Sequence, residues 1–143
     1  MDRLSIDRKH SLAGRDNLNW FFANRKWLRT SAGGDAPRCA IIECAWAKRP
    51  LAEGEAGIRF LFLASKKSYK RAHDRNKIRR WLRAAITETT VFAELEASML
   101  TRGEQLLVMM RVSKPMREIG WKKIRENIES IASHLAKRVQ VRS

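Results

Sequence analysis

Lys66, Lys67, Lys70, Arg71, Arg75, Lys77, Arg79, Arg80 and Arg83 fall within one short stretch of this chain, and Asp74 is the only acid among them. Charge of that density calls for a polyanion. The chemistry on offer is phosphate binding. Arginine presents a planar fork that grips two phosphate oxygens, and lysine adds a mobile point charge. Asn76 sits inside the run. A neutral amide there suits a base edge, a 2′-hydroxyl or a metal-bound water, with a hydrogen bond local to the helix start as the plainer alternative.

The same stretch carries the means of positioning these groups. Ile78, Trp81, Leu82, Ala85 and Ile86 recur at helical spacing, which predicts a helix from Arg71 or Ala72 to about Thr87 with that stripe facing inward. Spacings of three and four gather Asn76, Arg79, Arg80 and Arg83 on the outer side, flanked by Lys77. The charge is therefore a ridge on an ordered element.

The rest of the chain supplies a frame. Residues 1–14 are polar, lack a pattern and are expected to be a flexible N-terminus. Asp16 caps a short helix with Leu18, Phe21 and Phe22 on one side. Residues 31–37 read as a loop. Residues 38–46 read as a strand with Ala40, Ile42, Cys44 and Trp46 on one face and Glu43 on the other. A second loop covers 47–57, and Ile58 to Ala64 is apolar enough for a central strand. Val91, Phe92, Leu95 and Met99 predict a short helix ended by Gly103. Residues 105–111 read as a third strand, and Trp121, Ile124, Ile128, Ile131 and Leu135 as an amphipathic helix. Helices alternating with strands in this order predict an α/β (α+β) two-layer sandwich on a small mixed sheet. One domain over residues 15–138 is expected, with 139–143 as a tail.

Composition narrows the function. The 143 residues suit one domain, and 44% hydrophobic content supports a globular core. Thirty basic residues against fifteen acidic ones give a net charge of +15. A solubility device or an anionic-membrane binder is the plainer reading of such a balance. Asp2, Arg3, Asp7, Arg8 and Lys9 interrupt any signal-peptide core, and the run Leu106 to Met110 falls far short of the ~20 residues of a membrane helix. Cys39 and Cys44 stand at an odd offset that puts them on opposite faces of a strand, so they are expected to be buried thiols in a reducing cytoplasm. His10, His73 and His134 with these two cysteines are too few for a zinc cage. The carboxylates are scattered, no glycine-rich loop joins a strand to a helix, and Ser65 before two lysines makes no nucleophile motif. The chain offers ligands for phosphate, with no catalytic residue and no metal site of its own.

At Lys66-Lys67, Lys70-Arg71-Ala72-His73 and Arg75-Asn76-Lys77-Ile78-Arg79-Arg80-Trp81-Leu82-Arg83 the sequence resembles the protein subunit of bacterial ribonuclease P, whose signature is Arg-Asn-Arg within a longer basic pattern. Ile58 to Ser65 resembles that family's strand leading into the motif, and Leu106 to Arg111 the strand that follows. The resemblance covers most of residues 15–138, with 58–83 its specific part. Lys77 stands where the family has arginine, Arg79 where lysine is usual, and Ala84 where glutamate is usual. Leu18 and Phe22 occupy places where the family tends to show two aromatics, and residues 88–104 are longer than usual.

The resemblance implies a left-handed β-α-β crossover around the signature helix. It implies endonucleolytic removal of the 5′ leader from precursor tRNA, with hydrolysis on the RNA subunit and Mg2+ bound mainly there. The signature helix would bind the RNA subunit, and a cleft between the first helix and the sheet, with Leu18 and Phe22, the leader. One protein per RNA and no membrane partner are expected, in the cytoplasm. The alternative is a basic ribosomal or RNA-chaperone protein. It explains the charge equally well but not the Arg-Asn-Lys register. A major-groove DNA reader lacks its companion helix, and a stand-alone nuclease lacks clustered acids.

Overall fold

The strand that holds the molecule together is its most apolar one. β4, Glu104–Val112, is buried from Gln105 to Met110 because neighbours cover both of its sides and both of its faces. The computed structural model describes residues 3–28 and 41–140. On one side of β4 lies β2, Ile42–Pro50, antiparallel along its whole length from Ile42↔Val112 to Pro50↔Glu104. On the other lies β3, Ile58–Leu63, parallel from Ile58↔Leu106 to Leu63↔Arg111. The two-residue β1, Lys26–Trp27, pairs with Trp46 and Ala45, so the mixed sheet runs β1-β2-β4-β3.

Three helices cover one face. α2, Ala72–Glu88, and α3, Thr90–Arg102, form the crossover between the parallel strands, and α4, Trp121–Gln140, follows β4. Ile78, Leu82, Ala85 and Ile86 of α2 join Phe92, Leu95 and Met99 of α3 and Ile124, Ile128, Ile131 and Leu135 of α4 over the even-numbered strand residues Ile58, Phe60, Leu106, Val108 and Met110. Gly103 closes α3 in the left-handed conformation at φ 69°, where a side chain would be strained. α1, Arg15–Asn24, lies on the opposite face, where Phe21 and Leu12 pack on Ala45, Ala47, Leu107 and Met109. The result is an α+β sandwich on a mixed four-stranded sheet, as the pattern predicts.

Five expectations are corrected. β2 continues to Pro50 because its ladder with β4 does not stop at Trp46; the part of that predicted strand before residue 41, Cys39 included, lies outside the described residues. β3 is an outer strand instead of the central one, and its apolar character has another cause. The segment before α1, expected to be flexible, runs along its edge: Ser11 bridges Phe60, the Leu12 N–H donates to the Phe60 carbonyl at 2.9 Å, and Leu4, His10 and Leu12 are buried. His10 pins the segment to α3 through Glu96 Oε2 at 3.0 Å. Asp16 lies in the first turn of α1, whose N-cap is Gly14 at φ 94°. Val139, placed in a tail by the sequence reading, is buried within α4; residues 141–143 lie outside the described residues. Among the described residues no helix is long and apolar enough to cross a membrane.

Candidate nucleic-acid interface

α2 is held from beneath and before its start. Ile78, Leu82, Ala85 and Ile86 of its apolar stripe are fully buried, so the helix cannot roll. The chain leading into it turns at Ser65, whose Oγ accepts from the Ser68 N–H at 3.2 Å and whose carbonyl accepts from the Tyr69 N–H at 2.8 Å. Tyr69 is buried, and its hydroxyl donates to the Lys114 carbonyl beyond β4. Burial pushes its phenol up to about 12, since a phenolate would have to give up water. Arg75 closes the turn by donating to the carbonyls of Tyr69 and Lys70 at 2.8 and 3.2 Å. This arginine, predicted to bind RNA, thus also shapes the turn that presents the lysines.

On that support the predicted ridge forms. Lys66, Lys67, Lys70, Arg71, Asn76, Arg80 and Arg83 are exposed, and Arg75, Lys77 and Arg79 are partly covered. Arg79 donates to Asn76 Oδ1 at 3.5 Å, so the amide is tied to the ridge and not to the helix start. Lys77 lies over the Trp81 ring at 5.0 Å, which explains why Trp81 of the predicted inner stripe is only half-buried. The acids are engaged elsewhere: Glu55 with Arg59, Glu104 with Arg102 and Lys48, Glu43 with Arg111, and Glu88 and Glu129 with Arg125. Among the described residues no carboxylate pairs with any cation between Lys66 and Arg83. A row of uncompensated guanidinium and ammonium groups on a rigid helix is a phosphate-binding surface.

The second surface lies on the sheet face that carries α1. Leu18 is half-buried and packs into the core beneath that helix, leaving Phe22 as the exposed member of the predicted pair at 42%. The Arg25 guanidinium stacks over Phe22 at 4.9 Å and over Trp27 at 5.2 Å, and Arg111 approaches the Trp27 ring from the sheet at 5.6 Å. Glu43 grips Arg111 with both oxygens, at 3.2 and 2.8 Å, and these bonds raise the guanidinium pKa above its ordinary value. Arg25, Trp27, Arg111 and Tyr69 were not singled out in the sequence. The signal available was register: Glu43 and Arg111 are oppositely charged residues at directly opposed positions near one end of β2 and β4. The two surfaces meet in a groove of about 500 Å³ at the ends of the parallel strands, lined by Leu63, Lys66, Arg75, Arg79 and Arg111. Among the described residues no three His, Cys, Asp or Glu side chains come together as metal ligands.

Comparison with known families gives one result. The model of the family described as Ribonuclease P matches residues 41–136, a span that holds the sheet from β2 onward, the ridge and most of α4. No curated protein and no solved structure matches the chain.

Proposed function

Because the chain belongs to the ribonuclease P family, and so is a protein component of that tRNA-processing enzyme, we propose that α2 binds the enzyme's RNA subunit and that the α1 face of the sheet binds the 5′ leader of precursor tRNA. The observation that carries this reading is the run of unpaired cations from Lys66 to Arg83, set on a buried helix inside the matched segment. Lys66, Lys67, Lys70, Arg71, Lys77, Arg79, Arg80 and Arg83 neutralise phosphates of folded RNA and release its counterions. Asn76, held by Arg79, offers its amide to a base edge or 2′-hydroxyl. Phe22 and Trp27, oriented by Arg25 and Arg111, stack on unpaired leader bases, a contact that tolerates any sequence.

In this division of labour the chain performs no bond cleavage. Mg2+, bound mainly by the RNA subunit, supplies the activation of water. The protein positions the leader beside the RNA subunit and lowers the repulsion between two polyanions. The groove between Lys66, Arg75, Arg79 and Arg111 is where the two RNAs would run closest. One protein per RNA subunit, acting in the cytoplasm, completes the reading.

The test is cleavage of a leader-bearing precursor tRNA at low magnesium by a bacterial ribonuclease P RNA, with and without this chain. Rescue of correct 5′ cleavage by the chain is the expected result, with no cleavage by the chain alone. Tight binding to the RNA without rescue would favour an RNA-chaperone or ribosomal role.

A further inference from the structure

α1 has a second flank. Trp20 and Asn24, one turn apart, face away from Phe22 and line a cleft of about 440 Å³ with Lys26, Trp46, Lys48 and Glu104. This cleft wraps the outer edge of β2, which β1 leaves without a strand neighbour after Trp46 among the described residues. It lies across the sheet from β3 and on the other side of α1 from the leader surface.

Three features give it a chemistry. Both of its indoles carry a cation: Lys26 Nζ stands over Trp46 at 5.2 Å and the Arg49 guanidinium over Trp20 at 5.4 Å. Arg49 is fixed in place, donating to Gln105 Oε1 at 2.8 Å and to Asn17 Oδ1 at 3.1 Å, so the Trp20 platform is rigid. Lys48 is partly compensated by Glu104 at 3.7 Å, whereas Lys26 has no carboxylate partner among the described residues and is exposed. Finally, Trp46 is 6% exposed, yet its buried Nε1–H has no acceptor. Buried donors are nearly always satisfied, and an orphan beside a cationic, aromatic cleft is a donor waiting for a ligand. Trp46 packs on the helix face of β2 and Trp20 on the α1 face, so the cleft offers one accessible indole, an ammonium without a carboxylate partner and a donor without an acceptor. That set suits a base with its phosphate.

We propose that this cleft is a second RNA-contact site, taking one unstacked nucleotide with its base against Trp20 and its phosphate on Lys26. The proposal rests on the RNA-binding reading above and adds a contact on the edge remote from the ridge. The nucleotide belongs to an unpaired segment of the RNA subunit or of precursor tRNA, two sources with the same chemistry.

The experiment uses the full chain in the assembled enzyme. 4-Thiouridine is placed in the RNA subunit in one arm and in precursor tRNA in the other; after irradiation the crosslinked peptides are mapped. A crosslink at Trp20, Asn24, Lys26 or residues 46–48 in either arm is expected and names the source. Lys26→Glu should abolish it and weaken binding of that RNA about threefold to tenfold. Trp46→Phe removes the N–H together with part of a buried ring, so some loss of Tm is expected whatever its role. At a temperature where the variant is fully folded it should weaken binding by a similar factor. A packing role alone predicts a lower Tm with unchanged affinity there. Crosslinks confined to residues 66–83 and the Phe22 surface, with both variants binding as well as the parent, would overturn the site and leave the RNA-binding reading intact. A Trp46→Phe chain that loses Tm and affinity together, with Lys26→Glu neutral, would overturn it too. If Arg80→Ala is also without effect on either RNA, the RNA-binding reading itself fails.

Discussion

On α2 the arginines stand apart from every described carboxylate; on the α1 face of the sheet four guanidiniums are already held. Arg25 lies on Phe22 and Trp27, Arg49 on Trp20 and between Gln105 and Asn17, Arg59 on Glu55, Arg111 on Glu43 and Trp27. The difference separates two ways of binding one polymer. Uncompensated cations gain their energy from phosphate, so their contribution falls as salt rises. Guanidiniums already engaged, two by carboxylates and two by rings and amide oxygens, act chiefly by holding rings flat and rigid. What they present is π-surface, and stacking on it is far less sensitive to ionic strength.

The largest test of this contrast is the joint replacement of Arg79, Arg80 and Arg83 by alanine. Affinity for the RNA subunit should fall by at least about 100-fold at moderate salt, and the slope of log affinity against log salt should shallow by about 2 to 3. Stability should stay within about 0.5 kcal/mol of the parent, because these groups serve no ion pair. An unchanged slope would show that the ridge is only a solvated surface. Next in size is Phe22→Ala. It should weaken precursor tRNA about tenfold, in keeping with about 1–3 kcal/mol for a stacked base, and leave mature tRNA and the salt slope unaltered. Equal loss on both tRNAs would remove the leader role of this face.

Glu43→Gln converts one kind of site toward the other. Arg111 loses its charged partner and becomes available to phosphate. Precursor tRNA should bind about twofold to threefold more tightly, with a slope steeper by about 0.7 for single-stranded contact. Weaker binding would mean that Glu43 serves to aim Arg111 at Trp27, and that orientation outweighs charge here.

The two surfaces also differ in how far the sequence reveals them. α2 is built from local spacing: the inner stripe Ile78, Leu82, Ala85 and Ile86 and the outer Asn76, Arg79, Arg80 and Arg83 follow from one period, and the structure keeps both sets. The sheet face is assembled from β1, β2, β4 and α1, far apart in the chain, so its members come together only through strand register. Trp27 carries no signal of its own in the sequence, and Arg111 reads as the end of a strand until β2 is seen to oppose Glu43 to it. Strand position fails for a related reason. Hydrophobicity marks β3 as central, but the burial that accounts for it comes from α2, α3 and the N-terminal segment along its edge, whose own sequence carries no strand pattern. Arg75 shows the limit within α2 itself: composition counts it as a phosphate ligand, whereas its guanidinium spans the carbonyls of Tyr69 and Lys70.

The smallest effect concerns how the ridge is anchored. Tyr69 is the single tyrosine of the chain, buried, with its hydroxyl donating to the Lys114 carbonyl. Burial raises its phenol from 10.0 to about 12, so the folded state prefers the protonated form more than the unfolded state does. The stability this confers is fully present below about pH 10 and is lost as pH climbs through about 12. Tyr69→Phe should cost about 1 kcal/mol at neutral pH, since the Lys114 carbonyl loses its donor. Between pH 10 and 12 the gap between parent and variant should close, because the unfolded parent is then a phenolate that must take up a proton to fold. Lysines titrate in the same range, but they do so in both chains and cancel in the difference. With no second tyrosine, phenolate absorbance follows this group directly. An ordinary titration near 10.0 in the folded chain, or a gap that stays constant with pH, would mean that the hydroxyl is open to solvent. The turn that presents Lys66, Lys67 and Lys70 would then be held by Ser65 and Arg75 alone.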